Sequence, residues 1–166
     1  GSVSRMRGIV GIMGSRPVVL VTGAAKRVGR VIVLELAAHG FDVAVHYRGS
    51  RDEALATAAE ARALGADADT FGADLADEAA TRALLPAVTK RFQRIDAVVN
   101  NASAFEYDDA SSFRYETLAR QMAANTAPAV VLAQALHDHL KGCAEVGCVV
   151  NLLDQKLWNP NPDYFS

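Results

Sequence analysis

The sequence predicts an α/β protein, a parallel sheet wound on both faces by helices. Three observations predict it. Short, apolar, β-rich runs recur along the chain, longer helical patterns separate them, and turn residues mark the joins. Read in order the pattern is β-α-β-α-β-α-β-α-β. Right-handed crossovers between parallel strands then put helices on both faces of one sheet.

Residues 1–16 read as a flexible leader preceding a domain that spans 17–166. The apolar run in the leader is short and broken by Gly8, Gly11 and Gly14, and Arg16-Pro17 stands where a cleaved signal would carry small residues. Pro17 to Val21 is the first strand. Val28, Ile32 and Leu36 form an apolar stripe that predicts a helix stopping near Gly40. Asp42 to His46 is the second strand. The alanine-rich segment Asp52 to Leu64 has acidic residues in its first turn and ends at Gly65, as a helix should. Ala68 to Phe71 and Ala97 to Asn100 are the next strands, with a helix from Asp77 to Phe92 between them. A long helix over Tyr115 to Leu140 leads to the last apolar run, Cys148 to Leu153. Runs of this kind read as strands buried in a parallel sheet.

With 166 residues, 51% hydrophobic and 22% charged, the chain can bury a core of its own. A formal net charge of −2 leaves no basic footprint for nucleic acid. No stretch nears the roughly 20 apolar residues of a membrane span. A small-molecule partner and a cytoplasmic location are the expectation. Cys143 and Cys148 match neither a redox pair nor a zinc knuckle, and read as a helix-end cysteine and a buried strand cysteine. His137 and His139 point to different helix faces, and His39 and His46 lack partners at ligand spacing, so no metal site is expected.

The strongest local signal is Thr22-Gly23-Ala24-Ala25-Lys26-Arg27-Val28-Gly29, between the first strand and its helix. Gly23 permits a sharp turn and Gly29 lets helix and strand approach closely. The helix N-terminus offers free N–H groups and the positive end of a dipole to a pyrophosphate, and Lys26 and Arg27 add charge. With a strand before and a helix after, this is the context of a Rossmann-type doubly wound fold.

Thr22-Gly23-x-x-x-Arg27-x-Gly29 resembles the variant glycine motif of the short-chain dehydrogenases/reductases, with arginine in place of the middle glycine. That form is typical of the pteridine reductase and dihydromonapterin reductase branch. Other segments resemble the family in order and spacing. They are Asp74-Leu75 after the third strand, Asn100-Asn101-Ala102-Ser103 after the fourth, Asn125 within the long helix, and Asn151-Leu152-Leu153-Asp154 on the fifth strand. The resemblance implies that Val28, Asp74, Leu75, Asn101, Ala102 and Ser103 join the glycine turn in holding a dinucleotide. It also implies a homodimer or homotetramer, and further strands and helices beyond this chain.

Which dinucleotide is read from the residues. An NAD enzyme places a carboxylate at the tip of the second strand to accept from the ribose 2′-OH. Here the tip is His46-Tyr47-Arg48-Gly49-Ser50 and the first acid is Asp52, already in the next helix. Arg48 and Ser50, beside Tyr47, suit a 2′-phosphate, and Arg27 can approach it. The expected cofactor is NADP(H).

In the family, a tyrosine with a lysine four residues later protonates the substrate. None of Tyr47, Tyr107, Tyr115 and Tyr164 has that lysine, and by the family's spacing the tyrosine would follow Ser166 directly. The expectation is a longer protein that carries both residues, with the 166-residue chain alone inactive in hydride transfer. Asp154 stands where most of the family has serine. A carboxylate there repels a developing alkoxide, whereas a carboxyl group with a raised pKa passes a proton to a ring nitrogen. Reduction of a C=N bond in a pterin- or dihydrofolate-like substrate fits that chemistry, and the resemblance to the pteridine branch implies that Phe105 stacks on the planar ring with Arg27 beside it. Asn125, by resemblance, holds a water next to the lysine, and is the second catalytic-site candidate with Asp154. Two readings compete: a general carbonyl or ketoacyl reductase, and a nucleotide-binding module without turnover if the chain truly ends at Ser166.

Overall fold

The first strand, β1 (Val18–Val21), is buried along its whole length, because it lies at the middle of the sheet. The computed structural model describes residues 16–104, 111–143 and 145–153. In these residues β1 is joined by β2 (Asp42–Tyr47), β3 (Ala68–Gly72), β4 (Ala97–Asn100) and β5 (Cys148–Asn151) in one parallel sheet of order β3-β2-β1-β4-β5. The helices are α1 (Arg27–Ala38), α2 (Arg51–Ala63), α3 (Glu78–Phe92), α4 (Tyr115–Gln121) and α5 (Ala127–Cys143).

The sheet has a core on each face. Alternate residues of one strand supply both, since successive side chains point to opposite sides. Val19 and Val21 pack with Val43, Val45 and the small faces of α1 and α2. Val18 and Leu20 pack with Ala44, Val98 and the leucines of α3 and α5. The doubly wound Rossmann-type arrangement is therefore present. The alanines Ala54, Ala58 and Ala61 of α2 are fully buried, and their small size lets that helix sit close to the sheet.

Four details differ from the sequence expectation. On α1 the buried stripe is Gly29, Val33 and Ala37, while Val28 is exposed; the whole helix is apolar enough that periodicity alone mistook the phase. Arg16, assigned to the leader, belongs to the folded domain. Its guanidinium donates to the carbonyls of Ala37, Phe41 and Gly65, at the ends of α1 and α2, and faces Asp42. The long fourth helix is interrupted by a π-helical turn, Met122–Thr126, in which Ala127 donates to the Met122 carbonyl. Pro128 supplies the reason: it has no N–H for the Ala124 carbonyl and its ring crowds that oxygen, so the turn widens. Finally, β5 is exposed throughout, Cys148 included, because it is the edge of the described sheet. The buried strand and buried cysteine expected there are not observed.

No helix among the described residues is long and apolar enough to cross a membrane.

Candidate functional site

The connections from β1 and β4 leave in opposite directions, so their carboxyl ends part and open a crevice. The glycine turn closes one side of it. Gly23 has φ +60, and a Cβ there would lie 2.9 Å from Ala102 Cα. A Cβ on Gly29 would lie 2.1 Å from the Gly23 carbonyl oxygen and 2.7 Å from Asn101 Nδ2. Both positions require glycine, one for its backbone and one for its lack of side chain.

Three side chains hold this turn. Thr22 Oγ1 accepts from the backbone N–H groups of Asn101 and Ala102, each at 3.0 Å. Asn101 Nδ2 returns the link, donating to the carbonyls of Thr22 and Gly23 at 3.1 and 3.0 Å. The third is His46, only 2% exposed, whose Nδ1 accepts from the Gly23 N–H at 3.0 Å. Its Nε2 lies 3.0 Å from the Ala73 carbonyl, to which it must donate, so the ring is the neutral Nε2–H tautomer. Burial drives its pKa below the usual histidine value, outweighing the hydrogen bond to Ala73 and the charge of Asp74.

The N-terminus of α1 opens onto the crevice with its N–H groups unclaimed by any cap side chain. Lys26 occupies the cap position without a side-chain bond, and no acidic residue stands in the first turn. Arg27 begins the helix at φ +53, a left-handed conformation that non-glycine residues rarely hold. Strain of this kind persists where the surrounding structure imposes it and collects at functional sites.

Across from the turn lies the tip of β2. Arg48 is exposed, and its Nε is 3.5 Å from Asp74 Oδ2. Ser50 precedes α2 without a side-chain cap bond. Asp74 Oδ1 accepts from Ala76 N–H at 3.0 Å, ordering the loop that presents Asp74 and Leu75. All thirteen residues expected to hold a dinucleotide, Gly23, Lys26, Arg27, Val28, Gly29, Tyr47, Arg48, Ser50, Asp74, Leu75, Asn101, Ala102 and Ser103, line one cleft of about 390 Å³. Its charged lining is Lys26, Arg27 and Arg48 against Asp74, which favours an anionic ligand.

Ala104 and Ala124 also line the cleft. Here Asn125 acts on the backbone. Its Oδ1 accepts from Ala104 N–H at 2.7 Å, and its Nδ2 donates to the Ala104 carbonyl and to Gln121 Oε1, both at 2.8 Å. The π turn directs this asparagine at the loop after β4, a common use of such turns. Phe105 and Asp154, the sequence candidates for stacking and proton transfer, lie outside the described residues.

Sequence reasoning missed His46, which it weighed only as a metal ligand. A polar residue directly after the apolar run Val43–Val45 and one position before the end of the strand is the available signal.

Comparison with known proteins agrees with this geometry. Residues 17–156 match the model of the short chain dehydrogenase family. A 3-oxoacyl-[acyl-carrier-protein] reductase, FabG, of Staphylococcus aureus is 42% identical over 83 residues, 50% of this chain and 34% of that protein. The crystal structure of FolM alternative dihydrofolate reductase 1 from Brucella suis in complex with NADP superimposes with a TM-score of 0.82 at 37% identity, covering 90% of this chain and 61% of that one. A putative dehydrogenase from Burkholderia cenocepacia with bound NADP gives 0.80 at 31% identity, over 90% of this chain and 57% of that one. The chain thus spans about a third of the curated relative's length and three-fifths of the solved ones.

Proposed function

The chain belongs to the short-chain dehydrogenase family, and from that premise we propose that it is the NADP(H)-binding part of a reductase acting on a pterin- or dihydrofolate-like C=N bond. The observation that carries the cofactor is the tip of β2, which supplies Arg48 and Ser50 to the cleft and no carboxylate of its own; the acid that faces Arg48 there, Asp74, comes from the β3–α3 loop. A 2′-phosphate meets a planar cationic donor there, whereas a 2′-OH would find no carboxylate acceptor on the strand tip itself. The uncapped N-terminus of α1 fits the pyrophosphate, its N–H groups and dipole facing the same cleft. When bound, NADPH supplies the hydride.

The chain's own residues bind and orient. Thr22, Asn101 and His46 hold the glycine turn in place, and Asn125 holds Ala104, at the end where the reacting ring would sit. The similarity to FolM over most of the chain supports the choice of substrate, as do Arg27 in the turn and Asp154 as the proton source for a ring nitrogen. The relationship to FabG supports a second reading, a ketoacyl reductase. Asp154 weighs against it, because a carboxylate beside a developing alkoxide is repulsive. The complete protein, on this reading, is a cytoplasmic homo-oligomer with a small-molecule substrate.

Titration of the chain with NADPH and NADH tests the cofactor. NADPH is expected to bind at least about tenfold more tightly, the difference one charge-assisted contact supplies, and Arg48→Asp should abolish the preference. Equal affinity for the two nucleotides would sink it. Turnover of dihydropterin against an acetoacetyl thioester by the complete protein separates the two substrate readings.

A further inference from the structure

We infer that His46 is a positioning residue that sets the glycine turn against the β3–α3 loop, and thereby aligns the two halves of the nucleotide cleft. The inference rests on the NADP(H) reading and adds to it a residue that need not touch the nucleotide. His46 stands on β2, between the two loops it joins. Its Nδ1 takes the N–H of Gly23, in the pyrophosphate half. Its Nε2–H goes to the carbonyl of Ala73, adjacent to Asp74 in the adenine half. The backbone reinforces both links: Ala24 N–H donates to the His46 carbonyl at 2.8 Å, and Ala73 N–H to the Tyr47 carbonyl at 3.0 Å.

Core packing alone does not ask for histidine here. Val43, Ala44 and Val45 precede it, β1 on one side is aliphatic, and β3 on the other sets Phe71 opposite it, so the apolar packing itself calls for no polar side chain. An aliphatic side chain would leave Gly23 N–H and Ala73 C=O without their side-chain partner at a part-buried site. A lysine or arginine could only donate. Neutral imidazole accepts on one side and donates on the other across its fixed width, so the two loops are held at a set separation. Burial keeps the ring neutral, as this requires; Asp74 is the charged neighbour that opposes the shift, and it is the weaker influence. A ligand that bridges both halves depends on that separation, and a ligand confined to one half does not.

The test uses the whole 166-residue chain and two nucleotides. NADPH spans both halves, and 2′-AMP occupies the adenine half alone. His46→Gln keeps a donor for Ala73 and loses the acceptor for Gly23. His46→Asn keeps an acceptor near the position of Nδ1. Dissociation constants are measured by calorimetry, and unfolding without ligand is followed in parallel. The expected result is that His46→Gln and His46→Ala weaken NADPH about tenfold or more, the effect of losing one link or both, and change 2′-AMP by no more than about twofold. His46→Asn, which keeps the Gly23 link and loses the Ala73 one, should weaken NADPH likewise; near-parental affinity in it would overturn the inference, because one link would then suffice. Unchanged NADPH binding in all variants would overturn the inference. So would parallel loss of both nucleotides with falling stability, which marks a merely structural residue. If the unaltered chain bound neither nucleotide, the cofactor reading itself would fall, a result distinct from failure of His46 alone.

Discussion

Two strand-to-helix turns leave the same edge of the sheet, and they are built in opposite ways. At the β3–α3 turn the chain satisfies itself. Asp77 caps α3 by accepting from Ala79 N–H at 2.9 Å, Asp74 accepts from Ala76, and Glu78 adds negative charge to the first helical turn. Thr81 closes the turn by donating to the Leu75 and Asp77 carbonyls. At the β1–α1 turn the equivalent places are left open. No side chain caps α1, no acid sits in its first turn, and two residues, Gly23 and Arg27, hold positive φ. An acidic cap contributes to stability but occupies the N–H groups and the dipole that an anionic ligand would use. The β3–α3 turn is made for stability within the chain, and the β1–α1 turn forgoes that stability, which on the NADP(H) reading leaves its N–H groups to an anion.

The largest effect that would sharpen the comparison is expected at Gly29. Gly29→Ala forces a methyl group against the Gly23 carbonyl, which is backbone and gives way poorly. A loss of about 3 kcal/mol in urea unfolding is expected, together with loss of NADPH binding. A variant as stable and as competent as the parent would show that the close approach is incidental. Next comes Asp77→Ala, which removes the cap of the self-satisfied turn. It should cost about 1 kcal/mol and leave NADPH affinity where it was. A clear fall in affinity would break the division between the two turns. The smallest effect is at Arg27. Arg27→Gly relieves the left-handed backbone and should raise stability by about 1 kcal/mol, offset in part by the added freedom of glycine when unfolded. The same change should weaken NADPH, since a cation leaves the cleft. Lower stability with tighter binding would contradict both halves of this expectation.

Much of the site could be read from local sequence. Gly23 and Gly29 announce a turn that only glycine tolerates, and Arg48 without a neighbouring acid announces the polarity of the β2 tip. Those features depend on residue type and on the strand and helix either side. Asn125 was legible as a polar residue in a helix, but not its bonds to Ala104, because they depend on the π turn that Pro128 induces. His46 was legible as a residue and silent as a function, since its two partners, Gly23 and Ala73, are brought to it only by parallel pairing of β2 with β1 and β3. The face of α1 was misjudged for a related reason: on a helix rich in valine and leucine, the sheet chooses which stripe is buried.

By itself the sequence determined the alternation of strands and helices, the places where the backbone must turn, and the charge at each turn, because these follow from side chains acting on their own backbone. The tertiary structure alone decided which loops share a cleft, which histidine becomes a brace, and which face of each helix is buried. Hydrogen bonds such as Asn101 to Thr22 join residues far apart in the chain, and burial depends on what packs alongside. No local pattern encodes either, so both exist only once the sheet has been assembled.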